Sequence, residues 1–215
     1  MNFTTSEYWS LWEESGVELE SVKSQKKKTP KLSSLEDVQA WLGDCKRCGL
    51  CKERNKIVFG SGNPKAQLLF IGEGPGADED KQGLPFVGRA GQLLTKIIEA
   101  MGLTRDEVYI ANIVKCRPPQ NRVPEPEEIH ECLPFLKAQI ELIQPKLVVA
   151  LGLTAARALT QTENNMGNLR GQFHSVAWRP ELQVMPTYHP AYLLRNPSAK
   201  KIVWEDMKKV KEALA

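Results

Sequence analysis

Four apolar runs of strand length, separated by helical patterns, constrain this chain more than any other feature of its sequence. They read AQLLFIGEG from Ala66, EVYIANIVK from Glu107, PKLVVALG from Pro145 and LQVMPTYHP from Leu182. Among the intervening segments are VGRAGQLLTKIIEAMGL and EPEEIHECLPFLKAQIELI, whose apolar residues recur at helical spacing. A strand with one wet face alternates apolar and polar residues. Continuous apolar strands alternating with helices instead require a mostly parallel sheet covered on both faces. Such sheets bind ligands at the carboxyl ends of their strands. Glu73, Asn112 and His189 each fall at or just past a predicted strand end.

With 215 residues, the chain has room for one α/β domain and an appendage. The division is expected between residues 1–34 and 35–215. Ser6 to Glu20 reads as a short amphipathic helix with Tyr8, Trp9, Leu11 and Trp12 to bury, and Lys23 to Lys31 reads as a basic linker without core residues. There is no internal repeat. No stretch approaches the length of a membrane span, and the N-terminus lacks a basic, then apolar, leader pattern. The expected location is therefore cytoplasmic, with no membrane partner. In that compartment the five cysteines are better read as metal ligands or buried thiols than as disulfides. A net charge of +3 is too small to announce nucleic acid by itself.

The segment GEGPGADEDKQGLPFVGRAGQLL, from Gly72 to Leu94, begins like a phosphate cradle but does not continue as one. Its glycines are spaced G-x-G-x-G, and Asp78, Glu79 and Asp80 follow, where three acids would repel a pyrophosphate. The bland reading is a glycine-rich turn with solvated acids. The cysteines are more telling. Cys45, Cys48 and Cys51 form C-x-x-C-x-x-C, Cys116 ends NIVKC, and Cys132 lies in the next helical segment. A structural zinc site usually pairs two C-x-x-C knuckles, and the second is missing. An iron–sulfur cluster accepts more scattered thiolates, so spacing favours a metal site but leaves the ligand set open. Cys132 alone also reads as an ordinary buried thiol.

Taken together, GEGPGADEDKQGLPFVGRAGQLL, YIANIVKCRPPQNRVPEPEEIHEC and YHPAYLLRNPS resemble the three signature regions of the family 4 uracil-DNA glycosylases, the iron–sulfur class of their superfamily. The likeness runs from about Cys45 to about Ser198, in order. It implies a three-layer α/β/α sandwich on a short, mainly parallel central sheet. It also implies hydrolysis of the N-glycosidic bond of deoxyuridine in single- or double-stranded DNA, as the first step of base excision repair. The implied ligands of a [4Fe–4S] cluster are Cys45, Cys48, Cys116 and Cys132, with Cys51 an extra. A monomer, associated with the nucleoid when on DNA, is expected.

The resemblance also assigns roles. Gly74 and Gly76 allow close backbone approach to a flipped base, Phe86 stacks on it, and Asn112 offers the donor and acceptor that suit uracil. His189 matches the histidine that donates to uracil O2 as the bond breaks, whereas His130 and His174 keep structural readings. The aspartate that another branch uses as a base is replaced by Gly74. Glu73 and Glu79 are the nearest matching carboxylates; Glu79 is favoured for rate, and Asp78 and Asp80 are expected at the surface. Leu193, Leu194 and Arg195 match a wedge loop that fills the gap left by the flipped nucleotide, with Leu193 preferred. Arg89, Arg117, Arg170 and Arg195 are candidate phosphate contacts, and the Trp9/Trp12 segment a candidate site for a replication or repair protein. Two other classes stay open: a non-catalytic iron–sulfur DNA-binding module, and a related glycosylase that stays covalently attached to its abasic product. The second carries a basic, histidine-bearing insertion, and none stands between Gly171 and His189.

Overall fold

The computed structural model describes residues 31–215; the predicted helix at Ser6 to Glu20 and most of the basic linker lie outside the described residues. Residues 32–215 form one compact unit. It opens with helix α1 (Leu35–Leu42), where Ser34 caps the backbone of Asp37 and Asp37 returns the bond to Ser34.

Among the described residues the sheet has six strands, in the order β1-β3-β2-β4-β6-β5. These are β1 (Ser61–Gly62), β2 (Leu68–Gly72), β3 (Tyr109–Asn112), β4 (Leu147–Leu151), β5 (His174–Val176) and β6 (Arg179–Thr187). The four long apolar runs became β2, β3, β4 and β6, which pair in parallel, while the short β1 and β5 close the edges antiparallel. The other α-helices among the described residues are α2 (Ala77–Gln82), α3 (Arg89–Ala100), α4 (Pro126–Ile143), α5 (Leu153–Thr160), α6 (Met166–Leu169), α7 (Pro190–Arg195) and α8 (Ala199–Leu214).

Alternate residues of each strand feed two separate cores. Leu69, Ile71, Ala111, Val148 and Ala150 face α1, α4 and α5, through Val38, Leu136, Ile140 and Leu159. Leu68, Phe70, Ile110, Val149 and Leu151 face α3 and α8, through Leu94, Ile98, Val203 and Met207. Both faces are therefore covered, and three layers result. This is why the central strands β2 and β4 lack polar residues at alternate positions.

The same layering places a crevice. After β2 the chain leaves into α2 and α3, with α3 packed on one face; after the adjacent β4 it leaves into α5 on the other. Two neighbouring parallel strands whose chains depart to opposite faces leave a gap beyond their carboxyl ends. Gly72 and Gly152 mark that gap.

The acidic segment is not a solvated loop. Gly76 is the N-cap of α2, so Asp78, Glu79 and Asp80 occupy the first turn, where the helix dipole favours negative charge. Asp78 is exposed as expected, but Asp80 is fully buried. Its carboxylate accepts from the backbone and side-chain amides of Asn55 and from the Lys56 amide, which ties α2 to the cysteine-bearing segment.

Candidate active site and cysteine pocket

A cavity of about 620 Å³ opens at the crevice, within the usual range for small-molecule sites. It is lined from four strand ends: Glu73, Gly74 and Gly76 after β2, Asn112 on β3, Gly152 to Thr154 after β4, and His189 after β6. Phe86 and Glu79 complete the wall.

Asn112 is buried, and its Oδ1 has no hydrogen-bond partner among the described residues. An unmet acceptor in a buried side chain costs roughly 1–3 kcal/mol unless a ligand supplies the donor. Gly72 makes room for it. A Cβ there would come within 2.5 Å of Asn112 Oδ1 and 2.6 Å of Phe86 Cζ.

Phe86 sits with φ at +53°, a left-handed conformation that a bulky aromatic adopts only when its surroundings impose it. Arg105 supplies part of that constraint, donating to the carbonyls of Pro85 at 2.9 Å and Phe86 at 3.2 Å. Glu79 Oε1 accepts from the next two amides, Val87 and Gly88, both at 2.9 Å. Gly91 lets the Phe86 backbone lie against α3, since a Cβ would fall 1.9 Å from its carbonyl oxygen. The ring ends 5.5 Å from that of His189, centroid to centroid.

His189 caps α7: its Nδ1 accepts from the Ala191 amide at 3.1 Å. That bond puts the imidazole proton on Nε2, leaving it free to donate. Burial lowers the histidine pKa to about 4, Arg195 adds to the effect, and Glu79 opposes it. The ring is neutral at physiological pH. Glu73 Oε2 accepts from Thr154 Oγ1 at 2.5 Å, so one oxygen is held by α5.

Several expectations are corrected. Leu193 is buried against α3 and the α8 face and cannot serve as a wedge; in α7 the exposed leucine is Leu194, beside the exposed Arg195. Consecutive side chains of a helix point about 100° apart, which lets Leu193 turn inward while Leu194 faces out. Arg170 is committed to the buried Asp206, which also accepts from Thr187, and so is withdrawn from the candidate phosphate contacts. Arg89 and Arg195 are exposed. Thr154, Arg105 and Lys115 were missed. Thr154 had a faint signal, a glycine followed by a helix at a strand end; Lys115 had one too, a charge inside an otherwise apolar run.

Behind β3 lies a second, small cavity whose lining includes Cys45, Cys48, Cys116 and Cys132; Cys51 is not among its lining residues. Three sulfurs have N–H donors nearby: Arg47 to Cys45 at 3.2 Å, Arg54 to Cys116 at 3.4 Å, and the Lys115 amide to Cys132 at 3.2 Å. Such donors suit sulfurs that carry negative charge. With no metal to ionise them, burial pushes Cys116 up to about 11 and Cys132 up to about 12. Among the described residues no group of three or more His, Cys, Asp or Glu is arranged to hold a metal ion. Four thiols line this one cavity, and the Arg47 and Arg54 guanidinium groups donate to two of them.

A model of the uracil DNA glycosylase superfamily matches residues 59–208. A type-4 uracil-DNA glycosylase of Sulfurisphaera tokodaii is 46% identical over 189 residues, spanning 84% of this chain and 85% of that protein. The type-4 enzyme of Saccharolobus solfataricus is 48% identical over 80% of this chain and 82% of its own length. That of Thermotoga maritima is 46% identical over 82% of this chain and 93% of its own.

Proposed function

Because this chain belongs to the uracil DNA glycosylase superfamily, we propose that it is a type-4 uracil-DNA glycosylase, which turns deoxyuridine out of DNA and hydrolyses its N-glycosidic bond. The observation that carries this reading is the unpartnered Oδ1 of Asn112, in one cavity with the Phe86 ring and a neutral His189.

A base inside a duplex cannot be reached until it is flipped out. Uracil then stacks on Phe86 and pairs with the Asn112 amide: its N3–H donates to Oδ1, and its O4 accepts from Nδ2. Cytosine offers the reverse pattern and would leave buried groups unpaired, which costs far more than a misfit of shape. As the bond lengthens, negative charge gathers on uracil and positive charge on the sugar. His189 Nε2–H stabilises the first at O2. Glu73 and Glu79 stabilise the second. With one oxygen held by Thr154, Glu73 keeps the other for the attacking water, while Glu79 also holds the Phe86 loop. Leu194 fills the vacated stack, and Arg195 and Arg89 meet phosphates. The exposed Val123 and Tyr192 on the cavity rim add apolar contact.

The four pocket cysteines are the proposed ligands of a [4Fe–4S] cluster. When bound it would cross-link the Cys45–Cys48 segment to the start of α4; hydrolysis moves no electrons, so it has no redox part in the reaction. Loading must release protons, since Cys116 and Cys132 are neutral thiols without it. Cys51→Ser should keep its iron, whereas Cys116→Ser should lose iron and solubility together; iron per chain and the broad visible absorption of the purified proteins check this. Equal iron loss in both would make Cys51 a ligand.

Gly72→Ala tests the site's geometry. The glycine is paired with Asn112 of β3 at the end of β2, so its new Cβ must displace Asn112 or Phe86. Excision should fall at least tenfold, with destabilisation of about 1–3 kcal/mol; single-turnover rates and thermal melts separate the two. The function itself is checked by incubating the protein with oligonucleotides that carry uracil, thymine, cytosine or hypoxanthine. Release of free uracil with an abasic site is expected. No release would favour a binding module, and a covalent adduct on the DNA would favour the trapping branch.

A further inference from the structure

Lys115 is fully buried, and no ion pair reaches it among the described residues. Its Nζ donates to the Asn112 carbonyl at 3.0 Å and to Gln139 Oε1 at 2.6 Å. Gln139 in turn donates to the Phe59 carbonyl at 3.0 Å and to Tyr109 Oη at 3.4 Å. On its other side, Lys115 lines the cysteine pocket and its amide donates to Cys132. We infer that Lys115 is a positioning residue that holds Asn112 in its base-reading pose from the cysteine pocket.

The physical case rests on rigidity. The Lys115 Nζ is fixed between two carbonyl-type acceptors. One is the backbone of the residue that bears the reading amide; the other is anchored on α4, which carries Cys132. Loss of a buried hydrogen bond of this kind changes an equilibrium by up to about tenfold. Without this tie, Asn112 keeps its identity but loses part of its aim. Discrimination should suffer more than general affinity for DNA.

The inference rests on the assignment of Asn112 as base reader. The test uses iron-loaded full-length protein and two uncleavable oligonucleotides, one carrying 2′-fluoro-2′-deoxyuridine and the other 2′-fluoro-2′-deoxycytidine. The ratio of their affinities reads base recognition, because phosphate contacts cancel. Lys115→Met keeps the length of the side chain and removes its donors; the ratio should fall about tenfold at unchanged iron per chain. Gln139→Met keeps the Lys115 Nζ but frees it from α4, and should lower the ratio by a smaller factor. An unchanged ratio in either soluble variant, or a fall matched by loss of iron, would overturn the inference. Insolubility of both would also count against it, since the network would then only support folding. Asn112→Asp in the same assay distinguishes the two levels. If its ratio equals the parent's, the base-reading assignment itself has failed; if it drops while that of Lys115→Met does not, only the role of Lys115 has failed.

Discussion

Asn112→Asp should excise uracil at least about 100-fold more slowly than the parent protein, with its preference for uracil over cytosine narrowed by a similar factor. An ionised carboxylate can still accept from N3–H, but it sets lone pairs against O4 where the amide placed a donor. It must also be buried in a site whose Oδ1 is shut off from water. Burial favours the protonated acid, which can donate either to uracil O4 or to cytosine N3 and so chooses poorly. Single-turnover rates on matched uracil and cytosine oligonucleotides measure both quantities. If rate and ratio were both unchanged, Asn112 would have no part in reading the base.

His189→Ala should lower the single-turnover rate by about 100-fold or more, the scale of one lost donor to a developing anion. Affinity for uracil DNA should fall far less, because Leu194, the phosphate contacts and Phe86 remain. The pH profile adds a sign. The folded-state pKa lies near 4, below the ordinary 6.5 of an unfolded histidine. Both states are neutral above 6.5, so the stability of the buried neutral ring is intact there. It is lost as pH falls from 6.5 towards 4, because the unfolded chain takes up the proton first. The rate should show no imidazole step between pH 8 and pH 5 (roughly, given the direction of the shift). Below that, a proton on Nδ1 would face the Ala191 amide and break the cap of α7. A rate loss explained wholly by weaker binding would remove His189 from the reaction.

The parallel sheet, its four long strands and the positions of Glu73, Asn112 and His189 at strand ends were legible because they follow from periodicity, which is local. The short edge strands β1 and β5 were not, since two or three residues carry no pattern and form only because β3 and β6 present open edges. Phe86 was legible by its motif, but not its left-handed backbone. That depends on Arg105, about 20 residues further along the chain, and on the missing side chain of Gly91. The choice between Leu193 and Leu194 turned on helical phase, and the phase of α7 is set by packing against α3 and α8 rather than by its own six residues.

By itself the sequence determined the class of fold, the chemistry of the groups available and their order along the chain. It could do so because apolar spacing and residue type act over a few residues. The tertiary structure alone decided which ionisable groups are withdrawn from water and which partners they find: Asp80 with Asn55, Asp206 with Arg170, Lys115 between Asn112 and Gln139. It also decided that His189 is neutral and which of its nitrogens carries the proton. Burial, dielectric and hydrogen-bond partners are properties of what surrounds a group in space, and in this protein those surroundings come from segments far apart in the chain.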